Sequence, residues 1–270
     1  MVKYYKLDKV YSANTEYIAE EDRFLVIKAI GTDITSDVTV KVRGVPAGTI
    51  NSYVAPLTVS SSNKFGPLDL KALYIVIPPD SRFEFESSGS GNVRVVGLIG
   101  VLGPGEAMPA EYQSRYAAQG NHYVKVVSNS YSVGTDTDWS NGVEYEIYSV
   151  TPATIETYVF NDRFGVAVAN LSSALTVGKI GIRMYLDSVA LDVLGSNMGP
   201  HGLDAYVMQI PPTDSNNEAG FTLADNPVTV EGDHTISIKA KNISGSALSP
   251  TSGHSITVTL YAVVEYIRRT

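Results

Sequence analysis

The residues whose types could do chemistry in this chain are four histidines, one acidic loop and two Asn-x-Ser sequons. His122, His201, His234 and His254 are scattered, and no H-x-H or H-E-x-x-H spacing brings two imidazoles onto one metal ion. Isolated loop histidines are what this spacing describes. Asp136-Thr-Asp138-Trp-Ser-Asn141-Gly142 sets carboxylates at alternating positions before a glycine, which is one way to gather oxygen ligands around calcium. The spacing is one residue off the EF-hand rule and the closing bidentate Glu is missing. A polar loop ended by an Asn-Gly hairpin turn before Val143 is the simpler reading of Asp136, Asp138 and Asn141. Asp225, Glu231 and Asp233 form a second acidic loop with a weaker claim. Asn170 and Asn242 head sequons that would accept glycans in a glycosylating compartment.

Other chemistries have no foothold. The chain has no cysteine, which removes disulfide scaffolds, thiolate metal sites and cysteine nucleophiles. It contains neither a G-x-S-x-G elbow nor a G-x-x-x-x-G-K-[ST] phosphate loop. A β-sandwich glycosidase could bring distant acids together, but it would also need aromatic sugar platforms, and Trp139 is the single tryptophan. No catalytic residue, cofactor or small-molecule substrate is expected.

Composition narrows the classes further. The 270 residues carry 20 Lys and Arg against 28 Asp and Glu, a formal charge of -8 that disfavours general nucleic-acid binding. No apolar run approaches the roughly 18 residues of a membrane-spanning helix. The opening MVKYYKLDKVYS begins with charge and lacks the apolar core of a secretory signal. Lys3, Lys6 and Lys9 at one end and Arg268 and Arg269 at the other make both ends slightly basic on an acidic body. Such ends could face an anionic membrane or packaged nucleic acid. Tyrosine occurs 17 times, crowding the start as Tyr4, Tyr5, Tyr11 and Tyr17 and recurring as Tyr261 and Tyr266. That residue suits partly wet interfaces, and it also favours sheets.

The elements that would position these groups are strands. Period-two alternation and β-branched residues predict strands over 24–30, 38–42, 70–77 and 93–102, then over 145–150, 164–169, 180–186, 205–210, 235–240 and 255–266. The runs LKALYIVI and VRVVGLIGVL are apolar enough to be buried on both faces. Clusters such as SSGSGN and SGSALSPTSG punctuate them. One segment, PGEAMPAEYQSRYAAQG over 104–120, predicts a short helix starting at Pro109 and stopping at Gly120, with Tyr112 and Tyr116 one turn apart.

The two sides of that helix resemble each other. Tyr11-Ser12 recurs as Tyr131-Ser132, and at the same offset Leu25, Ile27 and Ile30 fall on Tyr145, Ile147 and Val150. LDLKALYIVIPPDS parallels LDAYVMQIPPTDS, so Pro78-Pro79 matches Pro211-Pro212, and each half closes on a long apolar strand. The expectation is an all-β chain of two tandem antiparallel β-sandwich domains, jelly-roll-like, over 1–103 and 121–270. A short helical linker at 104–120 joins them, and longer loops at 187–202 and 213–234 elaborate the second half.

Tandem sandwiches with this repeat and no active site resemble virion structural proteins, in particular the double jelly-roll major capsid proteins of icosahedral viruses with internal membranes. The resemblance implies a self-assembling shell subunit located in the virion. Its partners would be itself, as a homotrimer or larger symmetric assembly, and other virion proteins, with the termini toward membrane or genome. Two other classes fit the same pattern: a cell-surface or filament-forming β-sandwich adhesin at the extracellular surface, and a carbohydrate-binding module using Trp139 and loop acids.

Overall fold

A computed structural model describes residues 1–58, 65–173, 179–191, 207–208, 218–222 and 227–270 of the chain. The fold is all-β, and the chain divides into two compact units. The first holds Met1–Ser60, Phe65–Val126 and Glu265–Arg269, and the second is built from Val127–Val264.

Strands of the first unit are β1 (Lys3–Ser12), β2 (Glu16–Ile18), β3 (Arg23–Thr32), β4 (Val38–Val42), β5 (Val45–Ile50), β6 (Leu68–Asp69), β7 (Ile75–Ile77), β8 (Arg82–Ser87) and β9 (Asn92–Val101). One sheet runs β1-β9-β3-β6, with β7 also paired to β3, and the other runs β2-β8-β4-β5. Phe24, Ile27, Ile75, Phe85 and Val95 are fully buried, each worth about 1.5–3 kcal/mol for its side chain. Between Ile27 and Ala29 the β3–β9 register slips, leaving Lys28 as an extra exposed residue opposite Gly97. A Cβ at Gly97 would lie 1.9 Å from the Val26 carbonyl oxygen, so only glycine admits this bulge.

The helix α1 (Ala110–Gln119) begins after Pro109 and ends at Gly120, as its sequence predicts. Expected as a linker, it packs onto the first unit. Tyr112 joins Phe24, Val26 and Val76, with Tyr74, Leu98 and Tyr116 around them. This accounts for the doubly apolar runs, since one face of the sheet meets the sandwich core and the other meets the helix. The helix also closes an edge. The Gln119 amide donates to the Val76 carbonyl at 3.0 Å and accepts from the Val76 N–H at 3.0 Å, as a neighbouring strand would. Arg115, 8% exposed, donates to the carbonyls of Leu73, Tyr74 and His122.

The second unit repeats the connectivity. Its strands are β10 (His122–Ser132), β11 (Glu144–Val150), β12 (Glu156–Ala169), β13 (Ile180–Leu186), β14 (Val189–Leu191), β15 (Val207–Met208), β16 (Glu218–Thr222), β17 (Val228–Glu231), β18 (Ile236–Asn242) and β19 (Thr257–Arg268), of which the start of β10 up to Val126 and the end of β19 from Glu265 belong to the first unit. The sheets run β10-β19-β12-β16, with β17 on β12, and β11-β18-β13-β14, with β15 on β13. In each unit the first strand pairs the last, which pairs the third, and the second pairs the penultimate, which pairs the fourth. That order is a jelly roll.

Several expectations change. The predicted strand over 70–77 is broken, because Lys71 takes a positive φ of 49°, its N–H bonds to the Asp69 carboxylate, and Lys71–Leu73 forms a 3-10 turn. Only Ile75–Ile77 stays extended. Lys3–Ser12, expected only as a basic end, is a ten-residue strand. The offset joining Leu25 to Tyr145 links β3 to β11, which hold different places in the topology; the counterpart of β3 is β12. Tyr11-Ser12 and Tyr131-Ser132 are true equivalents, each ending the first strand of its unit. Pro78-Pro79 follows β7, whereas β15, just before Pro211-Pro212, pairs in the other kind of sheet. Pro211 and Pro212 themselves lie outside the described residues, as do 192–206, 209–217 and 223–226.

Candidate functional site

The acidic loop does not converge on a cation. Asp136 sits at a φ of 51° and its Oδ1 accepts the Gly253 N–H, while the Asn141 Oδ1 accepts the Gly245 N–H at 2.9 Å. Both side chains therefore tie this loop to the 245–253 loop, and Asp138 points to solvent. The turn before Val143 is present, with Gly142 at a φ of 79° and the Val143 N–H bonded to the Ser140 carbonyl. It leads from one sheet to the other and is not a hairpin. Among the described residues no three His, Asp or Glu side chains gather to hold a metal ion.

Trp139 is fully buried, donates its indole N–H to the Val143 carbonyl at 2.9 Å and leans on Tyr145. It cannot serve as a sugar platform, which corrects its expected role in a carbohydrate-binding module. The two sequons also separate. Asn170 is exposed, at a φ of 64°. Asn242 is fully buried, its amide donating to the carbonyls of Trp139 and Ser246 and its oxygen accepting the Ser244 N–H. A glycan has no access to Asn242 in the folded chain, which corrects that candidate.

The described histidines stand apart. His122 contacts Glu265 at 2.5 Å, and His254 is an exposed turn residue. His234 places Nδ1 2.6 Å from the carboxylate of Asp187, which also accepts the Thr235 N–H at 2.8 Å. The carboxylate raises the His234 pKa above its ordinary value, and His234 lowers that of Asp187. Glu231 and Asp233 add weaker attraction for the imidazolium. Asp187 and Ser188 both have positive φ, so this pair fastens the tight turn between β13 and β14 to the β17–β18 turn. His201 and Asp225 lie outside the described residues.

The feature that sequence reasoning missed is the edge formed by β1. It pairs with β9 in unbroken register from Lys3↔Val101 to Ser12↔Asn92. The Ala13 N–H points back to the Gly91 carbonyl, whereas the Ser12 N–H points away, to the Tyr17 hydroxyl. Alternation then turns the N–H and C=O of Tyr4, Lys6, Asp8 and Val10 outward, and among the described residues no strand pairs with them. Only Leu7 and Tyr11 of this strand are buried, and Tyr5 and Val10 are each 54% exposed. Lys3, Lys6 and Lys9 lie along it; Lys6 is 3.3 Å from Asp8, which Arg94 grips with two bonds. Beside β1 a hollow of about 190 Å³ opens between the two sheets, where the apolar Leu7, Ile18 and Phe83 meet the charged Lys9, Glu20 and Arg23. The lysine spacing was legible; their membership of a strand was not, because only Leu7 and Tyr11 are buried and two apolar positions four residues apart do not mark period-two alternation.

No known protein family and no curated protein matches the chain. Solved structures similar to it include viral major capsid proteins. The STIV MCP is 10% identical, with 98% of this chain and 96% of that one covered, at a TM-score of 0.37. The PBCV-1 virus capsid is 8% identical, covering 99% and 95%, also at 0.37. A Sputnik virophage chain is 8% identical, covering 98% and 85%, again at 0.37.

Proposed function

We propose that this chain is a structural subunit that self-assembles into a virion shell and catalyses no reaction. The supporting observation is one jelly-roll connectivity written twice in a single chain. Three such chains supply six similar sandwiches, the number that near-hexagonal tiling requires. On this reading the partners are further copies, as homotrimers or larger symmetric assemblies, together with other virion proteins, and the place of action is the virion. Arg268 and Arg269 are exposed and keep the role of a basic end facing an anionic surface. Burial of Trp139 weighs against the carbohydrate-binding alternative.

Light scattering and electron microscopy of the purified protein test the proposal. Trimers or larger closed assemblies are expected. A strictly monomeric species at high concentration, or open filaments joined by strand exchange, would overturn it.

A further inference from the structure

We infer that the outer edge of β1 is a docking site for an extended acidic segment of another polypeptide, which adds to the first sheet as an antiparallel or parallel strand. The inference stands apart from the shell reading, because it rests on one edge of one unit.

Three observations converge on it. First, the edge is long and regular. Ten consecutive pairs hold β1 to β9 without a bulge, so the outward N–H and C=O groups of Tyr4, Lys6, Asp8 and Val10 form a straight row of donors and acceptors. On the other side of the same sheet β7 is capped at Val76, whose two backbone groups Gln119 satisfies. The β1 edge has no such cap among the described residues. Strand addition draws its affinity from such a row.

Second, the edge has a place for side chains. An added strand projects alternate residues to each face. On the inner face they would meet the hollow walled by Leu7, Ile18 and Phe83 together with Lys9, Arg23 and Glu20, where an acidic side chain can reach Lys9 and Arg23. Third, the charge selects the partner. Lys3, Lys6 and Lys9 lie on β1, Arg94 beside it on β9 and Arg23 at the hollow, against the carboxylates of Asp8 and Glu20. Two copies of β1 brought edge to edge with Lys6 opposite Lys6 would also oppose Lys3 to Lys9, which disfavours that register of self-pairing. Lys3 and Lys9 share the face of Leu7 and Tyr11, and Lys6 lies on the opposite face with Tyr4 and Val10, so a strand alternating acidic with aliphatic residues sets its acids beside Lys3, Lys9 and Arg23 and its aliphatic groups beside the exposed Tyr4 and Val10.

The test is a titration of the isotope-labelled full chain with a ten-residue peptide alternating valine with glutamate or threonine, read by amide hydrogen exchange. Slowing of at least about tenfold is expected at Tyr4, Lys6, Asp8 and Val10, with little change at the odd-numbered residues already bonded to β9. Val10→Pro deletes one outward N–H without touching the β9 ladder and should cut binding at least tenfold. The triple change Lys3→Glu, Lys6→Glu, Lys9→Glu keeps the backbone row and should shift preference to a lysine peptide. Even-numbered amides already protected in the free chain would overturn the inference, since the edge would then be covered. So would equal binding of an acidic peptide interrupted by prolines, or equal binding of single-stranded DNA or anionic vesicles without that protection pattern, because charge alone would then explain the site.

Discussion

The rings of Tyr131 and Tyr145 stack with centroids 4.4 Å apart, tying the end of β10 to the start of β11 across two different sheets. Tyr11 and Tyr17 link β1 to β2 at the corresponding place, edge to face at 4.8 Å. The pairing of first strand to second by two tyrosines is therefore a shared device of both units, and the recurring Tyr-Ser marks its first member. In the first unit Phe83 and Phe85 complete the cluster, both within 5.6 Å of Tyr11. Because Tyr11 is 5% exposed, Tyr11→Ala should destabilise the first unit by about 3 kcal/mol, measured by denaturant unfolding. Tyr131 is only half-buried, and its replacement should cost less.

Gln119→Ala leaves the N–H and C=O of Val76 without their side-chain partner in a buried place. A loss of about 2–3 kcal/mol is expected, with the Val76 amide exchanging faster than its neighbours in β7. Gln119→Glu should be only partly tolerated, because a carboxylate accepts from the N–H but cannot donate to the carbonyl.

Asp187 and His234 make stability depend on pH in a bounded window. His234 has its pKa raised by Asp187, so its contribution is complete below the ordinary 6.5 and disappears as pH climbs through the raised folded value. The Asp187 pKa is lowered by His234, so its contribution is complete above the ordinary 3.8 and fades as pH falls through the lowered folded value. The turn between β13 and β14 should be held most firmly from about pH 4 to 6.5. An NMR titration should find His234 above its ordinary value and find it lowered in Asp187→Asn; an unchanged midpoint would sink the assignment.

Expression in a glycosylating host should modify Asn170 and leave Asn242 bare, as mass spectrometry of the folded protein would report. Asn242→Ala strips the carbonyls of Trp139 and Ser246 of a donor and should cost about 2–3 kcal/mol.

Trp139, the single tryptophan, reports on the second unit. Its full burial predicts blue-shifted emission that resists quenching by acrylamide and does not respond to added oligosaccharides. Trp139→Ala should cost about 3–5 kcal/mol.

What the sequence alone determined was local. Alternation in VTVKV and in IGIRMYL placed β4 and β13 to the residue, and Pro109 with Gly120 bounded α1, because periodicity and capping act within a few residues. It also determined the all-β class from alternation and turn clusters, and of the three repeat markers that suggested two like parts only the recurring Tyr-Ser falls on equivalent strands. What only the tertiary structure decided was non-local. Tyr145 aligns with β11 and not with the counterpart of β3 because sheet membership depends on which strand pairs with which, and offset cannot register that. Asn242 and Trp139 are buried by residues far along the chain, so a sequon and an aromatic platform that look exposed in sequence are structural. The lysines of β1 read as a basic end until β9 supplies ten backbone partners and turns them into the rim of an open sheet edge.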